Sequence, residues 1–418
     1  MIRATRLSAA VALVLSLQPP PASAAPGIVL GWTTASTSSA RTLASSAPGL
    51  NTLSPTWWHL KSDGTVSGTG DRALSDWAHS RGMKVWPLFG NGTNPDASHR
   101  AITDEGIRGR MIARVGELAT AAGADGVNID WENLHTADRD AFAAFVREAS
   151  AAWRSRGLTV SVDVTPLSDT WEMGNWTAAY DRAALGEAVD YVVLMAYDQH
   201  NRLKPNGPTA ALPWVEDSVR YLLRSVPAPK VILGVPFYSR DWTDSAPPEV
   251  VFMKNAPERL RSRGATSTWD AQLGLTYATY VRNGAEHRIW VEDERSLALK
   301  AALVDKYSLA GLAAWRLGFE TPSAWRAVTG AAPPSRPAAQ VARTPAPTPV
   351  PSPSPSPPTP LPLPPLPTLG PVTRAAGPAP KEQADRTAVT ALAAVSLLLG
   401  LGAVGHSARR QRRSRRRG

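Results

Sequence analysis

The chain has no cysteine among its 418 residues. Disulfide staples and thiolate-bound metals are therefore excluded, and any folded part must be held by its own hydrophobic core. Histidine is also scarce, at seven residues, and His200 and His287 have no companions at metal-ligand spacing. Neither a metal nor a cofactor is expected. Acidic residues number 35 against 45 lysines and arginines, a formal charge of +10. The excess lies outside the middle of the chain: seven arginines sit in the terminal "RRQRRSRRRG", Arg3 and Arg6 lie at the start, and residues 331–386 add a net three. Residues 27–330 are then left at about −2, which gives no support to a nucleic-acid partner.

Long apolar runs are limited to the two ends. Arg3 and Arg6, the run from Ala9 to Leu17 and the small residues Ala22, Ser23 and Ala24 have the pattern of a secretory signal peptide over residues 1–24. Near the other end, Ala388 to Val404 is a charge-free stretch of 17 residues, close to the minimum for a bilayer span. With the arginine-rich tail (406–418) behind it, a transmembrane helix over 387–405 would keep its C-terminal flank in the cytoplasm. Residues 331–386 read as a semi-rigid linker, since positions 331–380 hold 19 of the 38 prolines. These patterns predict an exported protein tethered by a single pass, with a monomeric extracellular part over 25–330.

That part is large enough for a sizeable core, and it contains all 15 tryptophans, from Trp32 to Trp325. Short apolar runs alternate there with amphipathic helical stretches, the pattern of repeated βα units. The strand candidates are Ile28–Trp32, Leu53–Trp58, Lys84–Phe89, Gly126–Trp131, Thr159–Val164, Tyr191–Ala196, Val231–Val235 and Gly311–Trp315. Eight of them predict an α/β fold, a closed (β/α)8 TIM barrel. The gap before the last strand is too long for one helix. Its alternating residues around a turn at Asn283-Gly284 predict a small α+β insertion between strands 7 and 8, over about 243–305.

The stretch "DGVNIDWEN" carries the strongest chemical signal. In a strand, residues two apart share a face, so Asn128, Asp130 and Glu132 line one side and Val127, Ile129 and Trp131 the other. Carboxylates brought inside a fold cost several kcal/mol unless paired or protonated, so such a column is rarely decoration. In a barrel of this kind the strands deliver functional groups at their C-terminal ends. Met195, Tyr197 and Asp198 close the sixth strand, Tyr238 and Arg240 follow the seventh, and Trp315 ends the eighth.

With these residues in place the chain resembles glycoside hydrolase family 18, the chitinase-like family, over most of residues 27–330. The family's fourth-strand motif, Asp-Gly-x-Asp-x-Asp-x-Glu, here reads Asp125 to Glu132 with an amide, Asn128, at the first of its inner carboxylate positions. "LMAYD" (194–198), "LGVPFYSRDW" (233–242) and "LAAWRLG" with Trp315 match further family segments in order. The insertion and the ending "WRLGFE" look more like the branch acting on peptidoglycan and spore cortex than like true chitinases. No LysM repeat is visible, a departure from many members of that branch.

The resemblance implies cleavage of a polysaccharide containing β-linked N-acetylglucosamine. Ordinary glycosidases place two carboxylates on opposite sides of the scissile bond, and family 18 is among the exceptions. Asp130 and Glu132 leave one strand on one side, roughly 6–7 Å apart at Cα, which favours a substrate-assisted route through the sugar's own 2-acetamido group. By resemblance Glu132 is the general acid and base, Asp130 orients the acetamido N–H, and Tyr197 donates to its oxygen. Asn128, Asp198, Met195, Tyr238, Arg240 and Trp315 are expected to bind substrate. Alternatives are a chitinase acting on chitin oligosaccharides and a non-catalytic, lectin-like barrel; retention of Glu132, Asp130 and Tyr197 argues against the latter. Because Asn128 cannot share a proton with Asp130, Asp130 is expected to stay ionised to lower pH than in a site with three carboxylates.

Overall fold

The computed structural model describes residues 27–169 and 175–330. Its centre is a closed parallel barrel of eight strands: Ile28–Thr33, Thr52–Leu60, Leu88–Gly90, Gly126–Asp130, Thr159–Val164, Tyr191–Met195, Val231–Pro236 and Gly311–Trp315. They pair in chain order, and closure comes from the first strand, which pairs in parallel with both the second and the eighth. The third strand differs from the continuous run expected over Lys84–Phe89. It is split into Lys84–Val85 and Leu88–Gly90, because Pro87 between them has no N–H to give to a ladder.

Strand alternation divides the core into two layers. Inside the barrel, Leu30, Trp32, Trp86, Leu88, Val193, Ile232 and Ala313 form a buried plug. Outside it, Val127, Ile129 and Trp131 are fully buried against the helices. The helix Arg139–Arg154 presents Phe142, Phe145, Val146, Ala149 and Trp153 to that layer, at the helical spacing expected of an amphipathic face. Phe145 stacks on Trp131 at 4.8 Å between ring centroids, and this contact backs the strand that carries the acidic column. The preceding helix, Glu105–Ala122, starts where Asp104 accepts the Ile107 N–H at 2.8 Å and stops at Gly123, whose φ is 64°.

The insertion is a five-stranded antiparallel sheet in the order Glu249–Phe252, Tyr238–Trp242, Ala285–Val291, Leu275–Arg282, Thr266–Asp270. Its hairpin turns at Asn283 and Gly284, with φ of 53° and 78°, the left-handed pair a two-residue hairpin requires. Its extent differs from the expected 243–305. The sheet starts at Tyr238, directly after the seventh strand, while the helix Glu294–Tyr307 returns to pack beside the helix Leu212–Leu222 and the eighth strand. Lys300 and Glu292 fasten that return: both are fully buried, 2.6 Å apart, and Ser296 also donates to Glu292 at 2.8 Å. Among the described residues no helix is long and apolar enough to cross a membrane. The leader over 1–24, the linker, the span over 387–405 and the tail lie outside the described residues.

Candidate active site

Glu132 follows the end of the fourth strand, and its peptide is held on both sides. Asn91, buried just past the third strand, accepts the Glu132 N–H at 3.0 Å and donates to the Glu132 carbonyl at 2.7 Å. The Tyr180 hydroxyl donates to the Trp131 carbonyl at 2.7 Å. Asn133 then adopts φ of 54° and donates to the Thr93 carbonyl at 2.9 Å; asparagine is one of the few side chains that tolerates that left-handed turn. Sequence reasoning missed Asn91 and Tyr180, because a lone amide in a loop and a tyrosine beyond the neighbouring strand show no periodicity.

Asn128 sits one layer deeper and is fully buried. Its amide donates to Asp163 at 2.6 Å and Ser161 at 3.0 Å, and its oxygen accepts from the Trp32 indole at 2.8 Å. The Ser54 hydroxyl approaches that same oxygen at 3.5 Å. This corrects the expectation that Asn128 binds substrate, since the amide has no surface to offer one and its bonds are engaged inside the barrel. The fifth strand supplies another carboxylate, Asp163, which burial and then the charge of Asp130 push well above the usual carboxylate range, against the pull of the Asn128 hydrogen bond. Asp130 is itself pushed up to about 6 by burial, and its Oδ1 is enclosed without a hydrogen-bond partner. The alternation of Ser161 and Asp163 with Val160, Val162 and Val164 in "TVSVDV" was the available sign of an inward polar pair.

Glu132 is pushed up to about 8, first by burial and then by the charges of Asp130 and Asp198. Of the two carboxyls, Glu132 is the one that burial and neighbouring charge favour as the proton holder, the division between acid and charged partner that glycosidic chemistry uses. Across the mouth, the chain bends as soon as the sixth strand ends at Met195: the Tyr197 N–H bonds back to the Met195 carbonyl at 2.8 Å, and Asp198 has φ of 60°. Asp198 Oδ1 accepts from the Tyr238 hydroxyl and from Arg240, each at 2.6 Å. Met195 is buried beneath this turn.

The Tyr197 ring stands edge-on to Tyr238 at 6.4 Å. Burial keeps its hydroxyl protonated, with its pKa raised well above the usual tyrosine value, so it remains a donor. A side chain at Gly234 would come within 2.7 Å of the Leu194 carbonyl, so glycine is what lets the seventh strand lie this close to the end of the sixth, beside the Tyr197 ring. Trp315 is half-buried and leans on Trp32 at 5.7 Å, whose indole in turn holds Asn128. The structure thus brings Asp130, Glu132, Tyr197, Asp198, Tyr238, Arg240 and Trp315 to the C-terminal ends of the strands.

The model of the glycosyl hydrolases family 18 matches residues 34–320. The chain belongs to glycoside hydrolase family 18. Among its relatives is the uncharacterized glycosylase YvbX of Bacillus subtilis, 25% identical over 331 residues, covering 77% of this chain and 96% of the relative. The cortical fragment-lytic enzyme of the same species is 30% identical over 230 residues, covering 54% of this chain and 53% of the relative. The chain therefore spans about half the length of that enzyme. Among solved structures, a chitinase from Chromobacterium violaceum superposes with a TM-score of 0.68 at 28% identity, over 73% of this chain and 98% of the other. As a family 18 member the protein is a glycoside hydrolase, and its substrate is expected among polysaccharides.

Proposed function

We propose that this family 18 enzyme cleaves β-linked N-acetylglucosamine polymers of a cell envelope, peptidoglycan first among them, by substrate-assisted retaining catalysis. One observation carries the reading: Glu132, whose carboxyl burial pushes toward the protonated form, follows Asp130 at the end of the same strand, while Asp198, after the sixth strand, is engaged by Arg240 and Tyr238. An attacking carboxylate is strongest with an unneutralised charge, whereas the charge of Asp198 is paired with Arg240 and one of its oxygens also accepts from Tyr238. The substrate's acetamido oxygen is the remaining nucleophile. Glu132 gives its proton to the leaving glycosidic oxygen as the acetamido oxygen attacks C1 and the bond from C1 to the leaving oxygen breaks; it then takes a proton from the water that attacks C1 and opens the oxazolinium ring. Asp130 accepts the acetamido N–H and balances the positive charge, and the Tyr197 hydroxyl donates to the acetamido oxygen.

The likeness to the cortical fragment-lytic enzyme supports a peptidoglycan-type substrate, and the likeness to a chitinase supports a second reading, cleavage of chitin oligosaccharides. The leader and apolar-run patterns support an exported enzyme tethered to the cell membrane. Counting new reducing ends from peptidoglycan and from chitin oligomers tests both readings. Release from peptidoglycan that Glu132→Gln abolishes is the expected result; release that survives this substitution contradicts the assigned roles.

A further inference from the structure

The loop that joins the sixth strand to the helix Leu212–Leu222 starts at Asp198 and carries charge of one sign. Residues 199–209, "QHNRLKPNGPT", hold Arg202 and Lys204 and no aspartate or glutamate. The two ends of the loop are tied together. The Gln199 N–H donates to the Thr209 carbonyl at 2.9 Å, the His200 N–H to the Pro208 carbonyl at 3.2 Å, and the Gln199 side chain accepts the Ala211 N–H at 2.9 Å. A side chain at Gly207 would come within 2.5 Å of the His200 ring, and the buried Trp242 indole donates to the Gly207 carbonyl at 2.9 Å. The loop is thus fastened to the first-formed strand of the insertion, Tyr238–Trp242, beside the mouth of the site.

At its tip two neighbouring side chains part. Leu203 turns outward and is 62% exposed, whereas Lys204 is half-buried and brings its ammonium to the Gln199 carbonyl at 3.2 Å, one peptide beyond Asp198. Asp198 is the carboxylate whose charge acts on Lys204, and its Oδ1 already accepts from Arg240 and Tyr238. Two cations therefore share one anion at the edge of the mouth. Burial lowers the Lys204 pKa to about 8, against the pull of Asp198, so an incoming carboxylate would restore to the ammonium what lost solvation takes away. The other charged or titratable groups around it are His200 and Arg202 in its own loop and Asp244, which accepts from Asn206 at 3.2 Å. Burial lowers the His200 pKa, against its bond to the Pro205 carbonyl and with the push of Lys204, which leaves the lysine as the stronger cation of the two.

We propose that Lys204 reads a carboxylate on the substrate and so selects an acidic glycan over a neutral one. The inference rests on the glycan-hydrolase reading above and decides between its two polymers. Both contain N-acetylglucosamine, but chitin is neutral, whereas alternate sugars of peptidoglycan carry a lactyl ether that ends in a carboxyl group or in a peptide with carboxylates of its own.

The test measures kcat/KM of the full chain on a tetrasaccharide of alternating N-acetylglucosamine and N-acetylmuramic acid in three forms. The lactyl carboxyl is free, capped as a neutral methylamide, or joined to alanine, which moves the carboxylate outward. The wild type is expected to favour one acidic form over the amide by about tenfold, and the favoured form tells which carboxylate is read. Lys204→Met should bring that ratio close to one, and Lys204→Arg should keep it. Because kcat/KM reports ionisations of the free enzyme and those of Asp130 and Glu132 are common to all forms, the wild-type ratio should fall as pH rises through about 8. In Lys204→Arg that fall should vanish, since arginine keeps its charge. A lysine that only holds the loop would change all forms alike and leave the ratio intact in Lys204→Met; that result, or a wild-type ratio near one with every form cleaved, would overturn the inference alone. No cleavage of any form, with charge-dependent binding to Glu132→Gln retained in calorimetry, would overturn the hydrolase reading alone.

Discussion

Asn128 is the residue at which the acidic column departs from its family's pattern, and its position decides what the departure does. It donates to Asp163 at 2.6 Å, so Asn128→Asp would replace a donor by a second acceptor at hydrogen-bond distance. The two carboxylates would have to share a proton, and the added charge would make Asp130 harder to ionise. The acidic limb of the pH–rate profile is expected to move upward in Asn128→Asp; a profile overlaying the parent's would contradict this. Asp198 acts on the other limb. Its charge helps hold Glu132 at about 8, so Asp198→Asn should bring the alkaline limb down, even where the lost contact also lowers kcat. The chemistry at this level was legible where alternation exposed it, as for Asp130 and Glu132. Asn91, Tyr180 and Asp163 were not recognised, because they act from three other loops and strands, and what joins them is barrel closure rather than spacing along the chain.

Strands and helices were legible wherever apolar periodicity was continuous, and lost where a special residue interrupted it. Pro87 cut the third strand, and the abrupt turn after Met195 ended the sixth before Tyr197. The insertion's hairpin was visible in Asn283-Gly284. Its start at Tyr238 was not, because "FYSRDW" continues the alternation of the seventh strand without a break. The junction where the insertion rejoins the barrel depends on the buried pair Lys300 and Glu292. Removing one partner of such a pair leaves an uncompensated buried charge and costs about 3–5 kcal/mol, whereas replacing both can be close to neutral. Lys300→Met should therefore destabilise strongly in urea unfolding, and Lys300→Met with Glu292→Gln much less. Equal losses would show that the junction is held by apolar packing instead.

For the protein as a whole, the site is a place where stability is given up for chemistry. The folded-state pKa of Glu132 lies above its unfolded value of 4.5, at about 8. The unfolded chain thus gives up this proton at lower pH than the folded one. No penalty exists below about 4.5; it grows as pH rises through that window and is complete above 8. Glu132→Gln is expected to raise the melting temperature by a few degrees at pH 9 and hardly at all near pH 4.5. A pH-independent difference would mean that the residue is neither buried nor raised as described. The central claim is that this proton serves a reaction in which the substrate supplies its own nucleophile. The most direct measurement compares two otherwise identical oligosaccharides, one with a 2-acetamido group and one with a 2-hydroxyl on the sugar that is cleaved, following the anomer first released. Cleavage of the acetamido substrate with retention, at least about a thousandfold faster than its hydroxyl counterpart, is the predicted result. Comparable rates, or an inverted first product, would contradict it.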